Sequence, residues 1–146
     1  MDLFFKNLPR AVALLIVVVL SIHAWALSTA GYFLIWWLDI VLHFLGGLTV
    51  SLFFLWFFYE SGYVAKPEWP WYVFLVMISG FALFVGVQWE FFEFLFDTFV
   101  AKRASMPLAQ LGIKDTMSDL FMDWMGALAA GVLFLLNSSW NKDRSR

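Results

Sequence analysis

Six ionisable residues lie within long apolar segments as three pairs, each separated by about one helical turn. The pairs are Asp39 with His43, Glu90 with Glu93, and Asp119 with Asp123. Residues three or four apart share one face of a helix, so each pair presents its two polar groups together. A charged side chain at the centre of a bilayer costs about 2.5 to 3.5 kcal/mol on insertion scales. We therefore expect these groups to face protein, water or a cation rather than lipid.

Carboxylate oxygens combined with an imidazole suit hard or borderline divalent ions such as Mg, Mn, Fe(II) and Zn. Such an ion activates water for attack on a phosphate or an ester. We predict that four of these residues bind the metal and that one other, either Glu93 or Asp39, acts as the general base. The predicted ligands are His43, Glu90, Asp119 and Asp123.

The charge balance of these segments leaves other interpretations open. Seven of the eleven acids belong to the apolar segments or their ends, and no Lys or Arg lies in the apolar interior. Carboxylates this close together cannot all remain ionised unless a cation joins them, and otherwise some must bind protons. A purely structural polar network is also compatible with the pattern.

The composition restricts the class of protein. The chain has 146 residues, is 63% hydrophobic and 21% aromatic, and has a mean hydropathy of +0.82, which is more apolar surface than a soluble domain of this size could bury. This indicates a membrane protein whose partners include membrane lipids. The absence of cysteine excludes disulfides and thiolate ligands. No basic stripe is present, so we expect no nucleic acid partner.

The apolar segments predict an all-α, polytopic membrane protein with four transmembrane helices in one bundle. A single integral membrane domain covers residues 1–146, with spans at about 11–27, 32–59, 71–99 and 115–136 and a cytoplasmic tail at 137–146. The first span resembles a signal peptide, since it leads to Ala24-Trp25-Ala26. We expect it to be retained, because His23 and Trp25 fit such a segment poorly.

Basic residues predict the orientation of the four spans. Six lie with the termini and the second loop, against Lys102, Arg103 and Lys114 in the third loop, which places both termini in the cytoplasm. The six are Lys6, Arg10, Lys66, Lys142, Arg144 and Arg146. At a helical rise of about 1.5 Å per residue, Asp39 lies about 12 Å into the second span. Because the spans alternate in direction, all three pairs reach one layer in the outer half of the membrane.

Three other ionisable residues have simpler interpretations. Asp97 and Asp115 flank the third loop as interfacial charges, and Asp115 is also a candidate helix N-cap. His23 is alone on its span, which favours an interhelical hydrogen bond over a ligand role.

Four glycines are interpreted as points of close helix packing rather than substrate contacts. They are Gly46, Gly47, Gly126 and Gly131.

The order and spacing of these motifs resemble a bacterial inner-membrane family called YjdF-like. The resemblance covers roughly residues 32 to 135 and rests on an Asp-x-x-x-His helix, a Glu-rich helix and a final helix with Asp-x-x-x-Asp before a glycine. In this chain they are Asp39 to Gly47, Trp89 to Glu93, and Asp115-Thr116 with Asp119, Asp123, Gly126 and Ala127. A more distant similarity is to the VanZ-like family, which implies a connection with the cell envelope and glycopeptide susceptibility. The YjdF-like resemblance implies a small polytopic protein of the bacterial inner (plasma) membrane and no particular reaction.

Three hypotheses of function follow from the residues. The first is a metal-dependent enzyme acting on a lipid or lipid-linked envelope substrate, or on a small molecule. The second is proton or cation transport, although the wholly apolar inner halves, such as Leu52 to Phe58, argue against a monomeric pore. The third is a structural or accessory membrane subunit. The sequence leaves open whether the chain is an enzyme and whether it forms a homo-oligomer.

Overall fold

A computed structural model describes residues 3–64 and 68–137 of the chain. These residues form helices and connections with no β-strand among them. Four of the helices are long and apolar enough to cross a membrane and pack together, which confirms the predicted all-α fold. Lys66 and residues 138–146 of the predicted cytoplasmic tail, including three of its basic residues, lie outside the described residues.

The four spans follow one another with short connections. They are Leu3–Thr29, Leu38–Glu60, Trp71–Ala104 and Ile113–Asn137. The second and third spans each contain a wider turn with i to i+5 hydrogen bonds, at Trp56–Glu60 and Asp97–Ala101. Such turns are rare and occur frequently near functional sites.

The second span begins later than the apolar pattern predicts. Ala30 adopts a left-handed conformation, with φ 57°, and ends the first span. A short helical turn, Gly31–Leu34, then packs on the first span, and the continuous helix starts only at Leu38. Asp39 therefore lies in the first turn of its helix instead of two turns inside it.

Apolar packing fixes the order of the helices. The second, third and fourth spans form the compact part of the bundle, while the first packs chiefly against the second. One cluster of buried side chains joins the start of the first span to the ends of the second and fourth and the start of the third. It includes Leu8, Phe54, Tyr59, Phe74 and Phe134. The described ends of the chain therefore lie at the same end of the bundle, here called the lower end.

The upper end carries the connections at residues 30–37 and 105–112. Ala26 of the first span is fully buried there against Leu38 and Leu42 of the second. Trp36 and Trp37 are exposed beside them, as expected of aromatic residues at a membrane interface. Asp39 follows these aromatic residues directly, so the polar residues begin at this end.

Candidate metal centre

His43 lies between two groups of carboxylates near the upper end of the bundle. One group is Asp39, His43 and Asp119, and the other is His43, Glu90 and Glu93. In each group, one candidate ligand atom of every residue lies within 4.8 Å of the others. The second, third and fourth spans thus bring five of the six predicted residues together around one imidazole.

Asp123, the sixth residue, lies against the other side of that ring from Asp39. Its Oδ2 is 3.5 Å from His43 Nδ1, whereas His43 Nε2 is 3.8 Å from Asp39 Oδ1. A metal-binding histidine usually donates its second ring N–H to a carboxylate, which fixes the tautomer and the ring orientation. The Asp123 carboxylate therefore lies where such an orienting carboxylate would, on the Nδ1 side of the ring.

Glycine makes room for Asp123 on two neighbouring helices. A Cβ atom at Gly86 would overlap the Asp123 carboxylate, and one at Gly47 would overlap its backbone carbonyl. Gly126 lies one turn after Asp123 in the fourth span, and a Cβ atom there would overlap the Phe44 carbonyl. The second and fourth spans thus approach each other at backbone distance beside His43, and Gly47 and Gly126 are packing glycines as the sequence predicts.

Two side chains hold the third-span glutamates by hydrogen bonds. The indole Nε1 of Trp89 donates to Glu93 Oε1 at 3.0 Å, and the amide of Gln110 donates to Glu90 Oε2 at 3.0 Å. The other oxygen of Glu90, Oε1, is buried and has no hydrogen-bond partner among the described residues. An unpaired buried carboxylate oxygen is costly, and here it belongs to a residue whose carboxylate faces His43 and Glu93.

The residues of the centre are buried, and Asp39 is the most exposed of them. His43, Glu90, Glu93, Asp119 and Asp123 are each more than nine-tenths buried, while 22% of the Asp39 side chain is exposed. Within the described part of the chain, no Lys or Arg forms an ion pair with them, and the ion pairs found there join His43 to Asp39 and to Asp123. Protons or a bound cation must therefore balance much of this negative charge.

Asp97 and Asp115 anchor the third loop instead of joining the centre. Asp97 is buried and accepts the backbone N–H groups of Ala109 and Gln110, at 2.8 and 2.9 Å. Asp115 accepts a hydrogen bond from the backbone N–H of Leu111 at 2.8 Å. Because the fourth span begins at Ile113, Asp115 lies inside its first turn and is not the N-cap. These contacts position the Gln110 side chain above Glu90.

His23 forms the interhelical contact that its isolation predicts. Its Nδ1 is hydrogen bonded to the Tyr32 hydroxyl at 2.5 Å, and its ring meets Trp89 edge-on with centroids 4.9 Å apart. Burial, with the nearby carboxylates of Asp39, Glu93 and Asp119, raises the pKa of Tyr32. The hydroxyl therefore keeps its proton, and the hydrogen bond links the first span to the turn that follows it.

A cavity of about 180 Å³ opens beside the centre, between the first span and the second and third. Asp39, His43 and Asp123 contribute its polar wall. The other walls are largely apolar and include Ile16, Leu20, Leu42, Val50 and Val85. The buried carboxylates thus have a neighbouring space that can accept a molecule.

Sequence reasoning missed three residues that support the centre. Gln110 lies in a loop without helical periodicity, Gly86 is an isolated glycine in an apolar helix, and Tyr32 falls in a stretch interpreted as part of the second span. Only Gly86 carries a recognisable signal, since a small residue one turn before Glu90 indicates close packing. Trp89 also lines the cavity, whereas the neighbouring Gln88 is exposed.

Comparison with known proteins supports the first of the two resemblances. The sequence matches the family described as "Predicted membrane protein (DUF2238)" over residues 4–139, and this is the family called YjdF-like above. The more distant VanZ-like similarity is not supported. No curated protein and no solved structure matches the chain. Because the match covers nearly all of its length, this chain belongs to the DUF2238 family of predicted membrane proteins.

Proposed function

We propose that this protein binds one divalent metal ion at His43 and the surrounding carboxylates and uses it to hydrolyse a lipid or lipid-linked substrate. The observation that carries the proposal is Glu90 Oε1, a buried oxygen without a hydrogen-bond partner in the described chain, in the carboxylate cluster around His43. A cation would satisfy this oxygen and neutralise its neighbours at the same time. Mg, Mn, Fe(II) and Zn all suit this ligand set.

The ligands that we propose are His43, Glu90, Glu93 and Asp119, with Asp123 orienting the imidazole. Both carboxylate groups share His43, and a neutral imidazole that donates Nδ1–H has only Nε2 left for a metal. One ion per chain is therefore expected. A metal in such a site polarises a phosphoryl or carbonyl oxygen and lowers the pKa of water.

Asp39 is the residue we assign as general base. It is the most exposed acid of the cluster. It also lines the cavity, whereas Glu90, Glu93 and Asp119 do not line it. A water molecule beside Asp39 would give its proton to that carboxylate as its oxygen attacks the phosphorus or acyl carbon. The ester bond breaks, and the leaving oxygen takes up the proton that Asp39 accepted.

The position of the centre supports an amphiphilic substrate. Asp39 is the second residue of its span and Asp123 lies ten residues after Ile113, so the polar groups lie within about 15 Å of the upper ends of these helices. This places them in the upper half of a hydrocarbon core about 30 Å thick. A headgroup can reach this depth while its apolar part stays in the membrane.

Metal analysis of tag-free protein purified in detergent tests the proposal. We expect about one divalent ion per chain in the wild type and its loss in Glu90→Gln and in Asp119→Asn. Glu68→Gln, in an exposed position outside the spans, is the matched control and should keep the metal. Hydrolysis of phosphate and carboxylate esters of long-chain alcohols, measured on metal-loaded protein, then identifies the bond. Metal-free wild type across a series of added divalent ions would overturn the proposal and favour a proton relay or a structural network.

A further inference from the structure

The cavity beside the centre, here called the slot, is lined mostly by apolar side chains and has Asp39, His43 and Asp123 among its polar ones. Its lining extends along the second span from Asp39 to Val50, eleven residues or about 16 Å of helix. His43 and Asp123 also line it, and the first and third spans contribute mostly apolar side chains, such as Leu20 and Val85. A molecule that fills the slot would thus contact the centre and the apolar walls together.

The first span leaves this slot open because it is held mainly near its two ends. Leu8 and Val12 are buried in the lower core, and Ala26 is buried at the upper end. Between them, Ile16 and Leu20 line the cavity and yet remain 42% and 48% exposed. In a membrane, that exposure faces hydrocarbon, so the slot is open to the acyl chains of the bilayer.

The volume and the apolar lining of the slot indicate which kind of molecule it can bind. An apolar cavity of about 150 Å³ stays dry and binds a molecule as small as benzene, so a slot of about 180 Å³ suits a short length of hydrocarbon rather than water. A helix of a second protein, about 10 Å across, is too large for this volume. A single alkyl chain matches the volume, the apolar lining and the lateral opening.

We infer that this slot binds one hydrocarbon chain of the substrate, which enters from the bilayer between the first and third spans and places its polar group at Asp39 and His43. The inference rests on the proposed function and adds the substrate class, an amphiphile with an unbranched chain next to the group that reacts. Val85, in the wall formed by the third span, is the residue best placed to test it.

The test uses a long-chain alkyl phosphate that carries a diazirine on its chain, added to the metal-loaded protein in detergent. After illumination, mass spectrometry should find adducts on cavity residues such as Ile16, Leu20 and Val50. Val85→Phe, which narrows the slot, should reduce this labelling about tenfold, the loss expected when roughly two methylene groups are excluded from apolar surroundings. Val76→Phe, on the same span but 69% exposed, is the matched control and should leave it unchanged.

Two readouts separate this inference from the proposed function. Adducts spread over the outer faces of the spans, unaffected by Val85→Phe, would overturn the slot even if the metal is present. Cavity adducts on a protein that binds no metal would support the slot and overturn the metal centre. If Val85→Phe does not fold, the positions of the adducts on the wild-type protein still distinguish labelling in the slot from labelling on the outer faces.

Discussion

The two ring nitrogens of His43 face different carboxylates, and this assigns different roles to two aspartates of the fourth span. Asp123 is near Nδ1, while Asp119 belongs to the ligand group that includes Asp39. An orienting carboxylate raises metal affinity without touching the ion. Asp119 and Asp123, which look equivalent in sequence, should therefore respond differently to the same substitution.

We predict that Asp123→Asn weakens metal binding about 10- to 100-fold, the usual effect of losing an orienting partner, whereas Asp119→Asn removes it. Titration of metal-free protein with the ion found in the wild type measures both affinities. Asp123→Asn should still reach full occupancy at high metal concentration. Glu68→Gln, in an exposed position outside the spans and outside both ligand groups, is the control. Equal loss of metal in Asp119→Asn and Asp123→Asn would show that Asp123 is itself a ligand.

At this scale, the sequence predicts which residues meet but not how they are held. Spacing within each helix and the alternating direction of the spans are sufficient to place the three pairs in one layer. The hydrogen bonds from Gln110 to Glu90 and from Trp89 to Glu93 depend on side-chain directions and on the path of a loop. Neither follows from periodicity. The side of the His43 ring that Asp123 faces is likewise set by ring orientation, which has no sequence signal.

At the scale of the helices, the contact between the second and fourth spans determines the geometry around His43. A Cβ atom at Gly126 would overlap the Phe44 carbonyl and lie 2.6 Å from the Leu48 nitrogen. Both obstacles are backbone atoms, which cannot rotate away as a flexible side chain could. The two helices would have to separate, and the carboxylates of the fourth span would move away from His43.

Gly126→Ala should therefore lower the free energy of unfolding by about 1 to 3 kcal/mol, the usual range for overpacking, and weaken metal binding as well. Thermal denaturation in detergent, followed by circular dichroism, measures the first effect. Gly80→Ala is the control, because a Cβ there meets nothing within 4 Å and alanine favours the helix. Equal melting temperatures for the two variants would contradict the close contact.

The limits of the helices were less predictable than their number. The apolar residues Ile35, Trp36 and Trp37 continue a hydropathic segment, yet they form a turn, because Ala30 is left-handed and Ile35 leaves the helical region with φ −127° and ψ 85°. Hydropathy cannot distinguish an interfacial aromatic turn from the first turn of a span. Hydropathy also misplaces the end of the third span, which is predicted near residue 99. The helix continues to Ala104, because Lys102 and Arg103 are polar but remain helical.

At the scale of the molecule, the packed lower core and the polar upper end give the bundle two unlike halves. Phe74 and Phe134 stack with centroids 5.1 Å apart in the lower half, where apolar side chains fill the space between the spans. The polar centre and the cavity lie towards the upper end. An ion path through one copy of this chain would have to cross the aromatic layer, which favours chemistry at the centre over transport.

The orientation of these halves is predicted by the basic residues and is open to a direct test. The chain contains no cysteine, so single cysteines can be introduced without background labelling. Ser105→Cys, exposed in the upper connection, should react with a membrane-impermeant maleimide in intact spheroplasts, since six basic residues against three place that connection outside. Val64→Cys, exposed in the lower connection, should react only after the membrane is permeabilised. The reverse pattern would place the centre in the cytoplasmic half of the membrane, where its substrate would have to be drawn from the inner leaflet.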